Sequence, residues 1–307
     1  MKRLLLLLAS FIVTLHAAAA TYYVTVAGLG GEPDYEQRFT ANAKDLDKVF
    51  RGIAGAHVLT LTGTQSTAAQ LRTALAGVAQ QATANDDFVL VLIGHGSFDG
   101  TEYKFNLVGP DLTAVDIAAM CDHIASKRQL VVDTTSSSGG AIAAFERSGR
   151  IVIAATKSGT EKNATVFARY FVEALQDTSA DVDKNDSLTA AEAYTYASRK
   201  TAAFYESQKR LATEHAVFND TGRGEAVRDA GGGQGQLMAS FTLLRYGAAQ
   251  KAASDPAKQS LLAKKEELEQ KIDVLKYNKA AMDPADYKKQ LTAALLELAQ
   301  VQGELDK

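Results

Sequence analysis

Two short stretches place reactive side chains where an enzyme would use them. Gly94-His95-Gly96-Ser97 follows an unbroken apolar run at 88–93, and Thr134-Thr135-Ser136-Ser137-Ser138-Gly139-Gly140 follows another at 130–132. Histidine exchanges a proton near neutral pH and is the commonest general base. A Ser or Thr hydroxyl is a weak nucleophile that such a base must activate. The glycines beside His95 let other main chain approach closely. The pair therefore describes nucleophilic catalysis. His95 would be the base and one hydroxyl of the row 134–138 the nucleophile. The plainer alternative is a histidine in a tight turn and hydroxyls that cap the next helix.

A third stretch suggests a cation. Residues 181–192 read Asp-Val-Asp-Lys-Asn-Asp-Ser-Leu-Thr-Ala-Ala-Glu. Asp181, Asp183 and Asn185 fall at loop positions 1, 3 and 5 of an EF-hand calcium loop, Ser187 at 7 and Glu192 at 12. Hard cations need several oxygens converging from one short loop, which this spacing supplies. Position 6 is Asp186 where the motif has Gly; Asp tolerates the left-handed conformation better than most residues. The expectation is a structural Ca2+ site, set against a solvated acidic loop capping the helix that starts near Ala190.

These groups need a scaffold. Runs 21–28, 57–61, 87–93, 129–133 and 150–156 read as strands, and helical periodicity over 34–53, 66–83, 113–126, 141–147 and 164–175 separates them. Strands alternating with helices imply a mostly parallel α/β sheet covered on both faces, with chemistry at the carboxyl ends of the strands. A helix follows from 190 to about 210, then a Gly-rich loop at 221–235 and a final strand at 237–246, expected at a sheet edge. Gly28, Gly30 and Gly31 do not match a dinucleotide fingerprint. From 255 to 307 the composition turns to Ala, Leu, Lys, Glu and Gln. Two leucine-rich stripes flank Asp283-Pro284, a cap with Pro at the first helical position, so this part is an α-helical hairpin. It is either docked on the domain or an arm for a partner or a second copy of the chain.

Composition narrows the function classes. The chain has 307 residues, 46 % of them hydrophobic, and a net charge of −3. That balance argues against nucleic acid and against an anionic membrane surface. Lys2-Arg3, an apolar stretch at 4–15 and Ala18-Ala19-Ala20 form a signal-peptide pattern over 1–20, with cleavage expected after Ala20. An exported protein, periplasmic or secreted and with no membrane contact after cleavage, follows. The single cysteine, Cys121, lies on the apolar side of a helical segment and reads as a core residue.

The order strand, His95-Gly96-Ser97, strand, hydroxyl loop and further strand resembles the legumain family of cysteine peptidases over about 21–246. Val26-Ala27-Gly28 with Tyr35 resembles that family's first strand and turn, and Ala154-Ala155-Thr156 with Glu161 is similar to the lining of its specificity pocket. The resemblance implies a caspase-like fold over 21–250, a catalytic role for His95, and pocket roles for Glu161 and Arg38 toward Asn or Asp side chains. It also implies a cysteine where this chain has none. Counting forward from Asp133 puts Thr135 there; counting back from Gly139-Gly140 puts Ser136 there.

A thiol ionises with a pKa near 8.5 beside a histidine, whereas a hydroxyl also needs a group that orients the imidazole. Asp99 and Asp133 are candidates for that group. Two readings follow. One is a pseudopeptidase that retains the fold and binds a peptide or protein. The other is an active serine-type endopeptidase using Ser136 (or Thr135) with His95. An unrelated α/β binding protein of flavodoxin-like topology is the third.

Overall fold

The computed structural model describes residues 19–307; the expected signal segment lies outside them apart from its last two positions. The chain opens with β1 (Thr21–Ala27), α1 (Pro33–Arg51), β2 (Ala56–Leu61), α2 (Ala68–Gln81) and β3 (Asp87–Ile93). Three short strands follow: β4 (Gly96–Phe98), β5 (Tyr103–Phe105) and β6 (Leu112–Thr113). Then come α3 (Ala114–Asp122), β7 (Arg128–Asp133), α4 (Ile142–Phe145), β8 (Arg150–Ala154) and α5 (Phe167–Gln176). The last third contains β9 (Ser187–Thr189), α6 (Ala190–Ser207), β10 (Val217–Asn219), α7 (Gln236–Ser240), β11 (Thr242–Arg245), α8 (Gly247–Ser254), α9 (Gln259–Asn278) and α10 (Pro284–Leu305).

The main sheet runs β10-β8-β7-β3-β1-β2. The five strands from β8 to β2 are parallel, and β10 closes the edge antiparallel to β8. β3 is central because its run is apolar on both faces, as a strand covered on both sides must be. Val89, Val91 and Ile93 face one core with Phe39, Phe50, Phe167, Phe171 and Tyr194. Phe88, Leu90 and Leu92 face the other with Leu71, Phe105, Ile117 and Phe145. The first core lies under α1, α5 and α6, and the second under α2, α3 and α4. The expected fold class is what the structure shows: a mostly parallel sheet with helices on both faces, followed by a helix pair. Cys121 is buried in the second core, as its position on α3 predicts.

The end of the domain departs from expectation. The edge of the main sheet is Val217–Asn219, three residues too few to show a period. The stretch expected as one edge strand at 237–246 divides into α7 and β11. β11 pairs with β9 in a separate two-stranded sheet. There it serves the acidic loop rather than the main sheet.

The hairpin forms as its cap predicts: Asp283 accepts from the N–H groups of Ala285 and Asp286, with Pro284 at the first helical position. Its first arm, α9, is fastened to the domain. Arg245 and Glu266 make a two-point ion pair at 2.6 and 2.9 Å, and the Lys265 ammonium donates to the Asn185 carbonyl at 3.0 Å. α10 packs along α9. Among the described residues no helix is long and apolar enough to cross a membrane.

Candidate functional site

β3 and β7 are neighbours in register, with Leu92 opposite Asp133, so the two reactive stretches leave the sheet side by side. The chain turns at once after each strand, and the turns meet. The Ser136 hydroxyl donates to the Gly96 carbonyl at 3.0 Å, and the Gly96 N–H donates to Ser136 Oγ at 3.1 Å. Gly96 is glycine because nothing larger fits: a Cβ there would lie 2.4 Å from the Ser136 carbonyl oxygen and 2.5 Å from the Tyr103 ring. Ser136 itself is only 2 % exposed.

Thr135 belongs to a different network. Its Oγ1 lies 2.7 Å from Asp133 Oδ1 and 2.7 Å from the Tyr103 hydroxyl, and all three residues are enclosed. Burial pushes the Asp133 carboxyl up to about 6, against the Thr135 hydrogen bonds that favour its ionised form. Its second oxygen, Oδ2, has no partner. Asp99, the other carboxylate considered for orienting an imidazole, is exposed and accepts from the N–H groups of Thr101 and Glu102 in its own turn.

His95 is surrounded by α1 rather than by the hydroxyl row. Its ring meets Tyr35 edge-on at 4.7 Å and Phe39 at 5.1 Å. Burial lowers its pKa below the usual 6.5, a backbone hydrogen bond at Gly30 works the other way, and the Arg38 charge lowers it further. The imidazole is therefore neutral at physiological pH. Arg38 is exposed and lies over the Tyr35 ring at 4.5 Å. The structure thus brings Arg38, Tyr35 and His95 together, and Gly96, Ser136 and Thr135 together. The hydrogen bonds of Ser136 and Thr135 go to partners other than the His95 ring.

Glu161 joins the site through its main chain, its carbonyl accepting from the Ser137 N–H at 2.8 Å. Its carboxylate is occupied elsewhere. It accepts from the N–H groups of Lys157 and His215 at 3.0 and 3.1 Å, and it meets His215 Nδ1. Ser137 sits in the left-handed region, φ 60°, with an enclosed hydroxyl that has no partner. Ser138 exchanges hydrogen bonds with Thr156, which also receives the Gly139 N–H.

Sequence reasoning missed Tyr103, His215 and the enclosure of His95. Neither the apolar face of α1 that Tyr35 and Phe39 share nor the resemblance at Tyr35 signals that both rings meet His95. Tyr103 comes from a three-residue strand with no pattern of its own. His215 meets Glu161 across 54 positions of chain, and no spacing signals that.

The acidic loop is held by its own side chains. Asp181 accepts from the N–H groups of Asn185 and Asp186, and Asn185 Oδ1 accepts from the Ser187 N–H. Glu192 has two tasks. Oε2 completes the capping box of α6 with Thr189, and Oε1 reaches back to the Val182 N–H at 2.9 Å. Asp186, standing where the motif has Gly, takes the left-handed conformation at φ 66°. Carboxylate oxygens of Asp181, Asp183 and Glu192 lie within 4.8 Å of one another. The helix cap and the candidate cation loop are one structure.

No protein-family model and no curated protein matches the chain. The solved structures similar to it include two of low identity. One is protein GSU0716 from Geobacter sulfurreducens, at 12 % identity, covering 66 % of this chain and 93 % of that one, with a TM-score of 0.44. The other is the Drosophila initiator caspase Dronc, at 14 % identity, covering 68 % and 82 %, with a TM-score of 0.45. The likeness is one of chain path alone, and no comparison identifies the legumain family.

Proposed function

We propose that the protein is an exported, caspase-like pseudopeptidase that holds a peptide or protein segment beside His95 without hydrolysing it. The observation that carries this reading is the Ser136 hydroxyl. Its proton goes to the Gly96 carbonyl, and its oxygen takes the Gly96 N–H, the donor an oxyanion would need. Hydroxyl and oxyanion donor thus satisfy each other. Thr135, the other candidate, is enclosed against Asp133 and Tyr103. A neutral His95 set among Tyr35, Phe39 and the exposed Arg38 is better suited to binding: two aromatic faces, a hydrogen-bonding ring and a cation. Arg38 favours a carboxylate or amide side chain on the segment bound there. Export rests on the signal-peptide pattern at 1–20.

The test is cleavage of a broad peptide library by the protein from Thr21 onward, beside His95→Ala and Ser136→Ala. The expected result is no cleavage by any of the three. In the same library, peptides bearing acidic side chains should be retained, and Arg38→Ala should weaken that retention by about fivefold, the worth of an exposed ion pair. Cleavage by the unaltered protein that both His95→Ala and Ser136→Ala abolish would overturn the reading and establish a serine-type hydrolase.

A further inference from the structure

Ser187, at position 7 of the acidic loop, presents a polar group that the fold does not satisfy. It is 3 % exposed, and its hydroxyl has no hydrogen-bond partner. It lines a cavity of about 150 Å3 together with Asp183, Asn185 and Glu192. A buried hydroxyl without a partner is costly and calls for a missing one. The enclosed Tyr246 hydroxyl is also without a partner, and the carboxylates of Asp181 and Glu192 are among its charged neighbours.

The charges ask for the same thing. Asp181 is buried and Glu192 half-buried, while Asp183 is exposed and leaves the cluster open to solvent. Among the described residues no ion pair includes any of the three. The nearby Lys265 ammonium goes instead to the Asn185 carbonyl at 3.0 Å and to Glu269 at 2.8 Å. Converging carboxylates without a counter-charge repel one another, and a divalent cation reverses that repulsion.

We propose that loop 181–192 is a calcium site, in which side-chain oxygens of Asp181, Asp183, Asn185 and Glu192 close on one ion and Ser187 supplies a further oxygen. All the donors are oxygens, which selects a hard cation. Their number, on a loop held by β9 and α6, suits the larger coordination sphere of calcium over the strict octahedron of magnesium. Asp181 is already oriented by two main-chain N–H groups and Glu192 by three donors, so the ion would enter an ordered site.

The experiment is calorimetric titration of chelator-stripped protein with calcium chloride and, separately, with magnesium chloride, beside Asp183→Asn. Thermal unfolding is followed with and without each ion. One calcium per chain should bind, the melting temperature should rise at millimolar calcium, and magnesium should bind at least about tenfold more weakly. Asp183→Asn should lower calcium affinity by at least about tenfold. Absence of both heat and a melting shift in the unaltered protein would overturn the proposal, whatever the variant does. So would magnesium binding as tightly as calcium, or calcium binding that Asp183→Asn leaves unchanged.

Discussion

Asp133 stands at the centre of the hydroxyl row, and its environment has a measurable signature. It is fully enclosed, one of its oxygens has no partner, and burial raises its pKa from the ordinary 3.8 to about 6. Between those values the folded protein holds a proton that the unfolded chain has released. Stability therefore falls as pH rises through that window, and the full loss, about 3 kcal/mol, is present above pH of about 6. Asp133→Asn can still accept from the Thr135 N–H and hydroxyl but cannot ionise. Urea midpoints of protein and variant, compared from about pH 4 to about pH 7, should converge at the acid end and separate toward neutral, with the variant the more stable. A constant difference across the range would mean that Asp133 does not titrate there. The position of His95 at the end of a buried strand was legible in the sequence, because six apolar residues run straight into it. The partner of Ser136 was not. That bond depends on two turns meeting in space, and the sequence alone leaves Thr135 and Ser136 interchangeable.

At the scale of elements, the most exacting junction is the start of α5. The expected helix from 164 begins instead at Phe167. Glu214 provides for its first turn, accepting from the N–H groups of Val166 at 2.7 Å and Phe167 at 3.2 Å, and from the Tyr205 hydroxyl at 2.9 Å. The residue is buried, which raises its pKa, while its three donors favour the ionised form. Glu214→Ala removes a helix cap from 47 residues away and leaves those donors without an acceptor. The expected cost is about 2 kcal/mol, read as a shift in the urea midpoint with an unchanged slope. No local signal places this cap. The usual Ser, Thr, Asp or Asn ahead of the helix is displaced because Thr165, the residue nearest that place, donates its hydroxyl to the Thr134 carbonyl instead. By contrast the caps of α6 and α10 were legible, because Thr189 with Glu192 and Asp283 with Pro284 are local in sequence. The same contrast separates β3, read from its own residues, from β10, which is a strand only because the edge of β8 is free to receive it.

At the scale of the molecule, the hairpin and the domain meet through polar ties around α9 and a small apolar cluster of Ala249 and Ala252 with Leu262, while the two large cores contain no residue beyond Tyr246. Removing 255–307 should therefore leave a folded domain. It should unfold cooperatively with near-unchanged secondary structure outside the lost helices, at a midpoint lowered by the loss of the Arg245–Glu266 and Lys265–Asn185 contacts. Circular dichroism and thermal unfolding of the truncated chain check this; loss of the cooperative transition would show the hairpin to be integral to the core. The hairpin helices that follow 255 were visible as a change of composition, whereas α8 just before them was not, since Ala-rich sequence there carries little pattern. One contact runs against this division of labour. The hydroxyl of Tyr23, in the first strand, donates to the carbonyl of Leu243 across 220 positions, buried from solvent. A ribosome delivers Tyr23 first and its acceptor long afterwards, so the polar tip of this interior strand has no partner until β11 has emerged. The bond thus makes the first strand of the main sheet wait on a partner more than two hundred positions downstream, a long-range contact of the kind that slows folding.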